Sequence, residues 1–509
     1  MSDLLLRDVR LVPLVNGDVT GEPVDVLVID GDVAQVGPGI DPATDRRAVG
    51  RPPAEEIDGA GRWLTPGLWD QHVHLGQWGL CRARLDTTGV TSPEAAIALI
   101  AEKVADEPGK PIIGFGHRPG AWAREVTVTE LDEVTGVTPV ILIAGDAHHA
   151  WLNSVALAAL GLGARDDVVR ENEWFAAYEI LNSLTGDSGT SPAAYRDSIQ
   201  AAAAMGVVGL VDFEFSGGAA EWIERWHAGC DLIRVRMATY ADGLEEIVAA
   251  GLRTGSPLID GDDRLVMGPL KIISDGSLNT RTAWCCEPYA DGDRLEHPSG
   301  AANLAQHELV ALLARAHMSG IEVSTHAIGD AAVTAALDAY AATGARGAIE
   351  HAQLIAHADI ARLAALDIRA SVQPAHLLDD RDLTELIWPG RSERSFAFRW
   401  MLDAGATLVL GSDAPVSPLD PWLAMAAAVS RTGDDRDAWH AEHALTAREA
   451  LAASVGEQPR VRVGSRGDLV LLDKDPLASY EDPRATAAAL RSMSVALTVV
   501  GGDVVHRAL

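Results

Sequence analysis

The stretch Thr65-Pro-Gly-Leu-Trp-Asp-Gln-His-Val-His74 decides how this chain is read. Alternate residues of an extended strand point to one face, so His72 and His74 project side by side from a strand end. Two adjacent imidazoles can give two nitrogen ligands to one cation. Taken alone, the pair can also be read as two polar residues at a strand terminus. The rest of the chain has to choose between these readings.

Seven further short apolar runs follow, each bounded by turn or polar residues: Val207–Asp212, Ile233–Met237, Leu270–Ser274, Glu322–His326, Ala348–His351, Ile368–Val372 and Thr407–Asp413. Most precede Ala-rich amphipathic patterns, such as 331–342 and 359–366. Apolar residues at helical spacing predict helices there. Eight strands with helical crossovers predict a (β/α)8 TIM barrel, with its site at the C-terminal ends of the strands. The gap at about 76–200 is too long for one crossover. It reads as a lid insertion after the first barrel strand, with helices at 93–105 and 154–160 and a strand at 139–143.

Outside the barrel, both ends of the chain read as β structure. Val24–Ile29 and Val33–Val36 flank Asp30-Gly-Asp32, a hairpin turn signal. Asp468–Asp473, Val495–Val500 and Asp503–His506 repeat the pattern at the other end. Chain ends tend to lie close together, so these segments predict one small β-sandwich domain. The expected organisation is 1–64 and 456–509 in that domain and 65–455 in the barrel.

The 73 acidic residues outnumber the 41 basic ones, for a net charge of −32. Such a surface repels phosphate backbones and argues against nucleic acid as a partner. Cys81, Cys230, Cys285 and Cys286 form no CxxC pair and no disulfide framework. No uninterrupted apolar run reaches membrane-spanning length, and the start of the chain lacks a basic leader. The expectation is a cytoplasmic protein without a membrane partner, acting on a small molecule, with a homodimer left open.

Polar residues fall where barrel chemistry needs them. His72 and His74 end the first strand, His326 the fifth, His351 the sixth and Asp413 the eighth, while Lys271 lies in the fourth. A lone strand histidine is more often a hydrogen-bonded structural residue; together the set predicts a metal site.

Pro66–His74, Lys271–Ala283, Thr325–Asp330, Glu350–Gln353 and Gly411–Pro415 resemble the amidohydrolase superfamily. More narrowly, they are similar to its YtcJ-type branch, which includes N-substituted formamide deformylases. The resemblance covers nearly the whole chain, including the returning β segment 463–472. It implies that His72, His74 and Asp413 hold the more buried metal and that His326 and His351 hold a second. It also implies two Zn2+ ions bridged by carboxylated Lys271, although other divalent metals suit these ligands too. A lysine carbamate offers two anionic oxygens; a free ammonium offers none. Alternatively, Lys271 pairs with an acid such as Asp275. Glu171 and Glu173 are rival bridging carboxylates, or line the lid, or are solvated.

Asp413 has a second expected role as catalytic base. It takes a proton from water and passes it to the departing nitrogen. The alternative is a helix-capping turn residue. Three residues are candidate substrate contacts. Arg281 follows the fourth strand and could equally form a surface salt bridge. His148 and Trp151 lie in Asp146–Asn153, a segment similar to a lid motif of the family, where Asn153 could instead cap a helix. His117 stands where relatives often carry an aromatic residue. Trp78, Trp122, Trp174 and Trp284 join Trp151 in mouth or lid segments, as either an aromatic pocket or ordinary core.

The leading expectation is therefore a metal-dependent hydrolase of a non-peptide C–N bond, in an amide or an N-formyl or N-acyl amine. A mononuclear deaminase of a heterocycle and a non-catalytic ligand-binding barrel are the alternatives. The first releases ammonia and needs one ion; the second needs none.

Overall fold

Eight parallel strands pair in chain order: Leu68–Val73, Val207–Asp212, Arg234–Thr239, Asp262–Ile273, Val323–Ala327, Gly347–His351, Arg369–Val372 and Leu408–Leu410. They are referred to below as the first to eighth strands. The computed structural model describes residues 3–15, 17–48, 50–117, 122–144, 149–170, 173–174, 176–178, 180–181, 191–215 and 218–509. Its chain divides into two compact units: Met1–Leu75 with Ile199–Leu509, and Gly76–Ser198.

The barrel strands read as near-continuous apolar runs because both of their faces are covered. Val207–Asp212 and Gly347–His351 are buried at every position. Helices such as Gln306–Met318, Asp330–Thr343 and His357–Ala365 provide the crossovers. The eighth strand is only three residues long, so the segment after it completes closure. Asp413 N donates to His72 O at 2.7 Å and His74 N donates to Ala414 O at 2.9 Å. Asp70 Oδ1 accepts from the backbone N–H of both His72 and Ser412, at 3.0 and 2.9 Å. Gly411 permits this approach, since a Cβ there would sit 2.7 Å from His72 N. The barrel seam therefore fixes the His72–His74 strand against Asp413.

Strands from both ends of the chain share one further sheet. Its order runs Asp503–Arg507, Val495–Val500, Leu469–Leu472, Trp63–Pro66, Leu4–Leu11, Val24–Ile29 and Asp32–Gly37, with Glu55–Asp58 beside Leu4–Leu11. Alternation divides its core between two faces. Leu4, Leu6, Val26, Val28, Leu469 and Leu471 pack on one side, and Leu5, Leu27 and Ile29 on the other.

Asp468, 2% exposed at its side chain, joins this sheet to the barrel. It accepts from Arg234 Nε at 2.7 Å and Arg466 Nε at 3.1 Å, and its other oxygen accepts from Gly501 N at 2.9 Å. Removing the carboxylate strips the buried Arg234 Nε of its partner and leaves the exposed Asp263, 3.2 Å from Nη1, as the guanidinium's remaining acid. Asp468→Ala is therefore expected to cost about 3–5 kcal/mol, read from the urea midpoint. A loss below about 1 kcal/mol would mark the contact as a solvated surface pair.

The unit Gly76–Ser198 has its own five-stranded sheet, in the order Val169–Arg170, His149–Leu152, Val140–Ala144, Ile112–His117 and Leu85–Asp86. Helices Pro93–Asp106 and Ser154–Ala159 lie close to the sequence expectation. Asn153 caps the second of these. Its Oδ1 accepts from Ala156 N, and its amide donates to Thr135 Oγ1 and Thr138 O. Among the described residues, no helix is long and apolar enough to cross a membrane.

Candidate metal centre

The C-terminal ends of the strands bring the sequence-predicted ligands together. Ring centroids lie 5.7 Å apart for His72 and His74, 5.1 Å for His72 and His351, and 4.5 Å for His326 and His351. Register explains this convergence. His326 pairs with Glu350, and Ala327 with His351, across the fifth and sixth strands, while Ile273 pairs with His326 across the fourth and fifth.

His72 is held by its back nitrogen. Nδ1–H donates to Glu350 Oε2 at 2.8 Å, with both side chains 1% exposed. That bond fixes the tautomer and leaves the Nε2 lone pair facing inward. Lys271 Nζ meets that lone pair at 3.1 Å and lies 4.2 Å over the Phe213 ring. Glu350→Gln removes the charge that orients the ring. It is expected to weaken metal affinity about 10- to 100-fold, measured by chelator competition; unchanged affinity would mean that the carboxylate serves packing alone.

Asp413 faces the histidines with both oxygens. Oδ1 lies 3.3 Å from His72 Nε2 and 3.4 Å from His74 Nε2, and Oδ2 lies 3.8 Å from His376 Nε2. Two donors bound to one tetrahedral ion at about 2.0–2.1 Å stand roughly 3.3 Å apart. The first two spacings match that edge and are long for a hydrogen bond. His351 and Asp413 adopt left-handed backbone, at φ +71° and +56°. Each costs on the order of 1–2 kcal/mol, and each aims its side chain into the cluster.

Electrostatics favour cation binding. Burial, seconded by the nearby Lys271, keeps His72 and His326 neutral, the latter lowered to about 4. Burial and the neighbouring His326 hold His351 well below the usual histidine range. Neutral imidazoles are the form that binds metal. Burial also depresses Lys271. For Asp413, burial pushes upward, but the surrounding imidazoles, led by His72 and His74, outweigh it and keep the carboxyl ionised. Among the described residues, His74 Nδ1, His351 Nδ1 and His376 Nε2 are buried and meet no hydrogen-bond partner. Among the described residues, two groups bring ligand atoms within 4.8 Å of one another: His72, His74 and Asp413, and His351, His376 and Asp413. The donor set thus fits a divalent metal.

His376 is the residue that strand-end inspection misses. It opens the helix His376–Ile387, four positions past the seventh strand. The usable signal was Gln373-Pro374-Ala375-His376, a histidine just beyond an apolar strand whose proline interrupts the pattern. Glu350 and Phe213 were also passed over, one hidden beside a presumed ligand and the other one residue beyond the second apolar run.

Other expected contacts stand elsewhere. Arg281 Nε pairs with Asp291 Oδ2 at 2.9 Å and Nη1 donates to Asn279 O, so its guanidinium forms the salt bridge rather than an open anion site. Trp151 is fully buried in the core of the Gly76–Ser198 unit, and its indole N–H donates to Thr127 O at 2.7 Å. Its expected substrate contact is therefore corrected to a packing role. Trp122 and Trp174 likewise pack in that unit's cores. Glu173 is exposed and paired with Arg165 at 2.6 Å. His148 and Glu171 lie outside the described residues. Asp275 does not pair with Lys271 in the manner of the alternative reading. Its carboxylate accepts from Ile328 N, Gly329 N and Trp284 N and stands 3.4 Å from His326 Nε2.

The family description "Amidohydrolase family" matches residues 55–506. The chain belongs to this amidohydrolase family. It is accordingly a hydrolase, acting on carbon–nitrogen bonds. Among amidohydrolases it is 26% identical over 504 residues to the putative amidohydrolase YtcJ of Bacillus subtilis, covering 91% of this chain and 92% of that one. It is 26% identical over 552 residues to an N-substituted formamide deformylase of Arthrobacter pascens, covering 94% of each. A crystal structure of an uncharacterised metal-dependent hydrolase from Pyrococcus horikoshii shares the fold, at a TM-score of 0.76 and 24% identity, over 94% of this chain and 99% of that one.

Proposed function

We propose that this amidohydrolase cleaves the C–N bond of an N-formyl or N-acyl amine, using zinc held by His72, His74 and Asp413 and a second ion beside His351. The observation that carries the reading is the buried Asp413 carboxylate, whose Oδ1 lies at ligand spacing, 3.3 and 3.4 Å, from His72 Nε2 and His74 Nε2. A divalent ion there supplies Lewis acidity and a water of lowered pKa.

The chain's own residues supply the rest. Asp413 takes the proton from the attacking water and delivers it to the departing nitrogen, so acid and base are one group. Glu350 keeps the His72 ring in its ligating tautomer. Lys271, 3.1 Å from His72 Nε2, is placed to join the centre once carboxylated. Phe213 covers Lys271 and meets the edge of the His72 ring at 4.6 Å, shielding both from water. Action on a small molecule in the cytoplasm belongs to the same reading, and the deformylase relative points to the N-formyl class.

A panel of N-formyl and N-acyl amines, assayed for released amine with metal-replete protein, tests this. Amine and carboxylate in equal amounts are the expected products. Ammonia released from heterocycles, with the panel untouched, would replace the reading by deamination.

A further inference from the structure

We propose that Phe215 sets substrate specificity: its exposed ring is the wall that receives a flat, apolar substituent on the nitrogen of the scissile amide. The proposal rests on the N-formyl or N-acyl amine reading above and names the group the substrate carries beyond the C–N bond.

The sequence sets Phe213-Glu214-Phe215 beside His72-Val-His74. Asp212 pairs with Val73 across the second and first strands, and Phe213 N donates to Val73 O at 2.7 Å. Each histidine thereby gains one phenylalanine. The rings of Phe213 and His72 meet edge-on at 4.6 Å, and Phe213 is fully buried. Phe215 stacks on His74 at 4.9 Å and 21°, yet it is 58% exposed. The first phenylalanine is core. The second lays one face on a candidate ligand and leaves the rest of its ring open at the barrel rim.

Its neighbours hold that ring without covering it. Tyr240, directly after the third strand, lies 5.4 Å away at 30°, and its hydroxyl donates to Phe213 O at 2.7 Å. Phe215 N donates to Glu214 Oε1 at 3.0 Å, and Glu214 N donates to Asp212 Oδ1 at 3.2 Å. The second strand and the segment after the eighth both pair with the first. Val416, three residues past Asp413, is 67% exposed, so an open apolar side chain follows each neighbour of the His74 strand. A flat apolar group laid on Phe215 leaves water and gains a stacked partner. A formyl carbon carries only hydrogen, so in an N-formyl amine all the bulk lies on nitrogen. A carbonyl placed among the ligands therefore brings that bulk to the rim, where Phe215 stands.

Binding and turnover are read separately, on metal-replete protein. N-phenethyl-, N-(cyclohexylethyl)- and N-methylmethanesulfonamide keep the substituted nitrogen but have no carbonyl to hydrolyse. Each is titrated by calorimetry into native protein, Phe215→Ala and Phe215→Leu. Native protein is expected to bind the phenethyl compound at least about 10-fold more tightly than the methyl one. Its margin over the cyclohexyl compound is expected to be about 2- to 10-fold. In Phe215→Ala the phenethyl compound is expected to bind about 10- to 100-fold more weakly. The methyl compound, too small to cover the ring, should keep its affinity, and zinc content should stay at the native level. Phe215→Leu should keep the preference for bulk and lose the preference for a flat ring. The matching N-formyl amines should repeat this ranking in kcat/KM. No preference in native protein, or an equal loss for all three compounds in Phe215→Ala, would overturn the proposal. So would zinc lost from that variant, which would make Phe215 a prop for His74 alone. The binding pattern intact with no N-formyl amine cleaved would remove the N-formyl reading and leave the wall in place.

Discussion

Replacing Asp413 by asparagine is expected to lower kcat by about 10²- to 10⁴-fold, the usual contribution of a general acid–base group. Asparagine keeps the size of the side chain and one donor oxygen but cannot accept the proton. It also removes the negative charge that both histidine pairs face. Metal retention should therefore weaken along with turnover. Steady-state kinetics on the best N-formyl amine, paired with metal content at matched occupancy, separate the two effects. A fully loaded variant turning over at the native rate would remove Asp413 from the chemistry. Its left-handed backbone, φ +56°, would then have only the barrel seam to explain it.

Stripping the metal should have an effect as large. Without an ion the cluster retains only its own dipoles, and a rate loss of about 10³-fold or more is expected, because water near neutrality no longer has a lowered pKa. Adding Zn2+ back should restore activity and raise stability, by about 4 kcal/mol at a thousandfold excess over Kd. The stripped protein should also be acid-sensitive. His326 titrates near 6.5 when unfolded and is lowered to about 4 by burial when folded. Between those values the unfolded chain binds more protons, so stability falls as pH drops through that window. Melting curves of stripped and loaded protein from pH 7 to pH 4 check the sign. A stripped protein that gains stability on acidification would contradict the buried, neutral state of these rings.

The barrel was legible because its strands are buried on both faces. Val207–Asp212 reads as one apolar block and folds as that block. The eighth strand is shorter than the apolar run suggests. Residues past Leu410 leave the ladder so that Asp413 and Ala414 can bond to the first strand. The insertion was less legible. Leu85–Asp86 and Val169–Arg170 are too short to show alternation. Ile112–His117 carries Gly114 and Gly116, which read as breaks although close neighbours require them. Four of the predicted imidazoles converge as expected because each sits at a strand end, where position along the chain translates directly into position at the rim. His376 escaped that logic by lying one turn of chain beyond a strand. Trp151 was misassigned because a tryptophan in a loop-like segment carries the same signal whether it faces a pocket or a core.

The most direct test is a crystal structure of zinc-loaded protein with anomalous data collected at the zinc edge. A peak about 2.0–2.2 Å from His72, His74 and Asp413 is the predicted result. Zinc found only elsewhere on the chain, with those three side chains bonded solely to one another, would contradict it.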